Sequence, residues 1–259
     1  MTPKTLAFAL SLALFAVPLG AQAQDAAAQT ADPAQTTGEA DKAPEAAPAE
    51  VEAEPALTWN LALTTDYVFR GVTQTDFDPA LQGGLDYAFG DTGIYVGAWA
   101  SNVDFVDGEG PDIELDSYIG WSHDLNDDWN VDLSFVHYAY LGETEAYGSV
   151  NYNEIIAKTT WNEAITATIA YSDDYSNAGF DSWYYNLGGT WEVGNEFSIN
   201  AGVGHTEFGG DAIDAYNDWN IGVSRQFGPV NAALNYYDTD VDGPRVSDTV
   251  VFTLAFGNG

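Results

Sequence analysis

Residues 59–70 read Trp59-Asn60-Leu61-Ala62-Leu63-Thr64-Thr65-Asp66-Tyr67-Val68-Phe69-Arg70. Trp59, Leu61, Leu63, Thr65, Tyr67 and Phe69 alternate with Asn60, Ala62, Thr64, Asp66, Val68 and Arg70. In an extended chain successive side chains point to opposite faces, so a period of two predicts a strand with one apolar face. The same alternation recurs around 81–89, 93–101, 113–123, 129–140 and 151–161, and again around 164–172, 182–193, 197–205, 217–227, 230–238 and 248–256. Twelve segments of roughly ten residues match the span of a tilted membrane strand. No helical period competes with them.

The connections order these strands. Those at 90–92, 124–128, 162–163, 194–196 and 228–229 are short and carry turn residues such as Gly90-Asp91, Asn126-Asp127 and Gly228-Pro229. Those at 71–80, 102–112, 141–150, 173–181, 206–216 and 239–247 are longer and acidic. Short and long alternate without a break, which a Greek-key sandwich would not give. The expected fold is therefore all-β: a transmembrane up-and-down antiparallel β-barrel of about 12 strands, with tight periplasmic turns and both termini periplasmic.

Rings supply a second expectation. The register puts Trp59, Phe89, Trp121, Trp129, Trp161, Trp191, Phe197, Phe227 and Phe256 at one rim, and Phe69, Trp99, Tyr138, Tyr171, Trp183, Trp219 and Tyr236 at the other. Two aromatic girdles at the water–lipid boundaries are expected of a membrane barrel. The last strand carries Val250, Phe252, Leu254 and Phe256, an apolar stripe like the C-terminal signal of outer-membrane proteins, displaced by Gly257-Asn258-Gly259.

Composition narrows the function. The 259 residues hold 40 acidic and 6 basic side chains, a formal charge of -34, and no cysteine. A nucleic-acid binder needs clustered Lys and Arg, so that class is excluded. Thiol chemistry and cysteine-held metals are excluded as well. Residues 1–23 read as a signal peptide, with Lys4, an apolar run from Leu6 to Val17 and the small-residue site Ala21-Gln22-Ala23. Residues 24–56, rich in Ala, Pro and Glu, read as a disordered linker, and 57–259 as the barrel.

The segment from Thr65 to Gln74, Pro79 to Tyr87 and Gly93 to Phe105, with Glu114-Leu115-Asp116, Tyr118-Ile119-Gly120 and Tyr152-Asn153-Glu154, resembles the TorF-type porin family of proteobacteria over roughly 57–259. That resemblance implies a predicted outer-membrane channel whose solute is not established. It assigns no catalytic or ligand residue.

Opposite the apolar stripe, the register points Asp66, Asp86, Glu114, Asp116, Asp132, Glu154 and Glu192 into the lumen, against Arg70 and Lys158. Carboxylate rings favour cations in a wet pore; the alternative is an interior filled by a salt-bridge network. Arg70, ending strand one, reads either as a constriction charge or as a rim partner of Asp76 or Asp78. Asp238, Asp240 and Asp242 copy half an EF-hand loop, but position twelve is Thr249, so no metal site is expected; the three are weak candidates for divalent ions beside the plainer reading as turn residues. His123, His137 and His205 fall on the outward stripe, and Ser134 and His137 point to opposite sides.

The expected function is passive diffusion of small hydrophilic solutes or ions across the outer membrane of a Gram-negative bacterium, with cation preference. No enzyme activity and no cofactor are expected. The partners are outer-membrane lipid, lipopolysaccharide and the barrel-assembly machinery. A non-conducting structural barrel and, further off, a surface hydrolase barrel are the alternatives.

Overall fold

The structure, a computed structural model, describes residues 56–105, 110–210, 213–243 and 245–258. The signal-peptide reading, and the linker reading up to residue 55, lie outside the described residues.

The chain is a closed 12-strand antiparallel barrel. Its wall consists of β1 (Ala56–Thr64), β4 (Ala80–Ala88), β5 (Ile94–Asn102), β6 (Ile113–Asn126), β7 (Trp129–Leu141), β8 (Tyr152–Trp161), β9 (Ile165–Ser172), β10 (Ser182–Gly194), β11 (Phe197–Phe208), β12 (Tyr216–Phe227), β13 (Val230–Thr239) and β14 (Thr249–Gly257). Each pairs with its sequence neighbour, and β1 closes the ring on β14 through Asn60↔Gly257 to Thr64↔Thr253. A separate pair, β2 (Val68–Phe69) and β3 (Val72–Thr73), stands apart from the wall.

Tight turns gather at one end. Asn195 and Glu196 both take positive φ between β10 and β11, as do Asn162 and Glu163 between β8 and β9. Such turns match the twist of the flanking strands. The start of β1 and the end of β14 lie at this turn end, and the longer connections lie at the other, the loop end.

The molecule is apolar outside and polar inside. Leu57, Leu133, Ile155, Val203 and Val250 are each more than half exposed, whereas Glu114 and Glu154 are 0% and 1% exposed. Water would penalise that arrangement, and a bilayer favours it. Trp59, Phe89, Trp121, Trp129, Trp161, Trp191, Phe197, Phe227 and Phe256 are all exposed at the turn end, forming the expected girdle.

The loop-end girdle needs correction. Tyr171, Trp183, Trp219 and Tyr236 sit on the outward register, but Phe69, Trp99 and Tyr138 are interior. Phe69 and Tyr138 are fully buried, and Trp99 packs edge-on against Tyr67 at 5.4 Å. The first strand is also shorter than its alternation predicts. The β1–β14 ladder ends at Thr65, whose amide donates to the Phe252 carbonyl at 3.0 Å. Beyond it the chain leaves the wall.

Candidate functional site

What leaves the wall enters the barrel. From Asp66 to Thr75, every residue but the half-buried Val68 is buried. The segment is a two-residue hairpin, pairing Val68 with Thr73 and Phe69 with Val72 around Arg70 (φ 43) and Gly71 (φ 83). Period two survives in β2 and β3, which is why the stretch reads as a continuing strand. Asp66 knots its base: Oδ1 accepts from Thr73 Oγ1 at 2.5 Å and Thr75 Oγ1 at 3.0 Å, and Tyr67 N donates to Thr75 Oγ1 at 3.1 Å. Burial pushes the Asp66 carboxyl above its usual range, against the lowering effect of those hydroxyls.

The hairpin crosses the lumen. Tyr67 meets Trp99 of β5. At its tip, a Cβ on Gly71 would stand 2.8 Å from Thr239 Cβ and 3.0 Å from Asp218 Cβ, so only glycine lets the tip abut β12 and β13. Arg70 Nη2 donates to both carboxylate oxygens of Glu154 on β8, at 3.1 and 3.2 Å. Its guanidinium lies 4.0 Å from the ring centroid of Tyr184 on β10. The expected partners Asp76 and Asp78 are not its partners. Beside Glu154, the Arg70 guanidinium is held still more firmly protonated than usual.

Around this hairpin the loop-end half of the barrel has a packed core of Tyr67, Phe69, Val136, Tyr138, Tyr152 and Tyr184 with their neighbours. Tyr138 and Tyr152 stack at 4.4 Å. The filled-interior reading therefore holds for this half. The turn-end half differs. Asn200, Gly202, Gly222, Ser224 and Asn231 line it and are only half-buried.

The candidate acids take three kinds of position. Asp86 accepts from Tyr118 OH, Asp132 from Tyr95 OH at 2.8 Å, Glu114 from Tyr140 OH and Glu154 from Tyr138 OH, both at 3.1 Å. Lys158 lies opposite Asp132 in register. Asp116 is 1% exposed, opposite Trp99 and Tyr138, with Oδ1 unpartnered. Glu192, on the interior register near the turn end, is exposed and far along β10 from the others.

The tyrosines and Asp218 were missed by sequence reasoning. Asp218 is 6% exposed and accepts from Tyr184 OH at 3.4 Å. A usable signal existed: Tyr95 faces Gly120 and Tyr118 faces Gly97 across the β5–β6 pair. A Cβ on either glycine would strike the opposing ring. Tyrosine laid across a glycine marks an inward ring in a barrel wall.

The remaining candidates lie apart. Asp240 accepts from Asn217 N and Nδ2, both at 2.6 Å, which pull its carboxyl below the usual range. Asp238 accepts from Tyr236 OH at 3.0 Å. Asp242 is exposed. Among the described residues no group of three potential metal ligands forms. His137 and His205 sit on the lipid-facing register bonded to Asn153 and Asn217, and His123 stacks on Trp121.

Residues 48–255 match the model of Gcw_chp, a bacterial protein family of unknown function. The chain belongs to that family. No curated protein matches it by sequence. Among solved structures it is similar to the NanC porin, with TM-score 0.51 and 10% identity over 77% of this chain and 98% of that one. It also aligns with the KdgM porin (TM-score 0.46, 6% identity, 78% and 98% covered). An outer membrane channel from Pseudomonas putida F1 aligns with TM-score 0.44 and 13% identity, over 83% and 99%. At these identities the likeness is one of fold: this Gcw_chp chain has the architecture of porin-like outer-membrane barrels.

Proposed function

We propose that this chain is a porin-like channel of the Gram-negative outer membrane, passing small hydrophilic solutes by diffusion and preferring cations. The observation that carries the reading is the half-buried polar wall of the turn-end half, inside a closed barrel whose outer face is apolar. The cation preference is supported by interior charge. Asp66, Asp86, Glu114, Asp116, Asp132, Glu154, Glu192 and Asp218 stand on the interior register with Arg70 and Lys158, eight acids against two bases. Carboxylates around a pore lower the energy of a passing cation and raise that of an anion.

In this reading residues 1–23 are the export signal, 24–56 a periplasmic tether, and the tight turns face the periplasm. The barrel-assembly machinery inserts the chain, and the acidic loops face lipopolysaccharide. The TorF-type resemblance supports the same assignment. The hairpin filling the loop-end half favours one competitor, a non-conducting barrel that only presents its outer loops.

Refolded protein in a planar bilayer under a KCl gradient separates the two. The proposal expects discrete current steps with a cation-selective reversal potential. Anion-selective steps would leave the channel but remove the acidic filter. Insertion without current would remove the channel.

A further inference from the structure

We infer that residues 65–78 are a displaceable stopper: the hairpin closes the loop-end half of the lumen in the conformation described here, and it can withdraw without opening the wall. Three observations carry this.

The wall is complete without the segment. β1 pairs with β4 from Ala56↔Ala88 to Thr64↔Ala80 and with β14 up to Thr64↔Thr253, and β2 pairs only with β3. Withdrawal therefore breaks no ladder of the barrel. The segment joins the rim at Thr65 and at Asp76 to Pro79, all exposed, so a hinge there costs no buried contact.

The inserted state is also poorly satisfied in its polar groups. Arg70 Nε and Nη1 and Asp66 Oδ2 on the hairpin, with Asp116 Oδ1 and Asp218 Oδ2 on the wall, are shut off from solvent without a hydrogen-bond partner. Each loses its hydration on insertion and regains it on withdrawal. Arg70 moreover holds a positive φ of 43, which side chains other than Gly, Asn and Asp seldom adopt. Against these stand the burial of Tyr67, Phe69 and Val72 and the Arg70–Glu154 pair. Opposing contributions of this kind make a two-state element.

The clasp that keeps the stopper in place sits at the mouth. Arg245, between β13 and β14, has Nη2 3.8 Å from Asp76 of the hairpin segment and 3.8 Å from Asp104 after β5, and donates through Nη1 to the Asp104 carbonyl. The Arg245 carbonyl accepts from Thr73 N at 3.4 Å. It is part-exposed, so its ion pairs are weak and salt-sensitive.

The inference rests on the channel reading, because a stopper implies a path to stop, but its test reads the loop directly. The chain has no cysteine, so one introduced thiol reports alone. Full-length protein in liposomes would carry Val72→Cys, buried at 3%, or Phe77→Cys, exposed at 39%, and meet a membrane-impermeant sulfonated maleimide. Phe77→Cys reacts at once. Val72→Cys reacts slowly but to completion, and about tenfold faster when Arg245→Met or 1 M salt releases the clasp. Because Arg245→Met touches no buried pair, it separates loop release from misfolding. A Val72→Cys thiol that stays unlabelled for hours, with or without Arg245→Met, overturns the stopper even if current flows. Labelling without any bilayer current keeps a hairpin that withdraws but removes the channel, and with it the role of stopper.

Discussion

The two halves of the barrel interior are built from the same wall strands by opposite means. At the loop end, Arg70, Glu154, Glu114 and Asp218 are buried among Tyr138, Tyr152 and Tyr184, as in the core of a soluble protein. At the turn end, Asn200, Gly202 and Ser224 leave a polar wall that is only half-buried. The difference comes from one segment of chain: the hairpin 65–78 reaches the first half and stops short of the second. A charge in a dry, packed setting depends on its partner, while a polar group facing water does not.

The sharpest way to break this contrast is to remove one member of the buried pair. Arg70→Met removes both Nη2 bonds from the buried Glu154, which keeps that of Tyr138 OH, and should cost about 3–5 kcal/mol, seen as a lower urea midpoint or a withdrawn hairpin. Arg70→Met with Glu154→Leu should recover most of that loss. At the turn end, Asn200→Ala removes a bond to Asn235 and should cost no more than about 1 kcal/mol.

The lipid face offers the next largest effect. Leu133→Arg, within β7, should lower stability in liposomes by about 2–4 kcal/mol, and Leu141→Arg, at the loop-end terminus of that strand, by about 0–1 kcal/mol. Equal costs would mean that no bilayer surrounds this face.

A smaller effect is expected from Gly97→Val, whose side chain overlaps the Tyr118 ring. Overpacking of this kind costs about 1–3 kcal/mol and should free the Tyr118 hydroxyl from Asp86. Thermal unfolding of the refolded barrel reads it.

The smallest concerns acidity. The Asp66 carboxyl is raised when the hairpin is inserted, chiefly by desolvation, and it also faces Asp76 and Tyr237. A group whose folded pKa is raised stabilises the folded form below its unfolded value, and that contribution is lost as pH rises through the folded value. Acidification toward that range should therefore slow Val72→Cys labelling more than labelling of the exposed Phe77→Cys, which carries the loss of thiolate alone, and Asp66→Asn should abolish the difference.

Period two and the alternation of short and long connections made the twelve wall strands legible, because a barrel buries nothing on its outer face that could disguise the pattern. The turn-end girdle followed from the same register. What stayed hidden was the departure of residues 65–78 from the wall. Tyr67-Val68-Phe69-Arg70 keeps strand alternation inside the hairpin, and no local signal distinguishes a strand in the wall from one in the lumen. Gly71 was the available clue, as a turn residue at the tip. Likewise Tyr138 and Trp99 read as girdle members because rings suit both a lipid boundary and a packed lumen. The interior acids could be placed on a face by parity, whereas the Arg70–Glu154 contact, 84 residues apart, depends on a path that the chain takes only in three dimensions.

The most direct test of the account is the unitary conductance of the full chain beside a variant in which residues 66–77 are replaced by a short Gly-Ser linker. The closed β1–β4 and β1–β14 ladders predict that the variant still inserts. It should conduct steadily in larger steps than the parent, with cations still preferred. A variant that inserts and passes the same current as the parent, or none, would contradict a lumen stoppered at one end and open at the other.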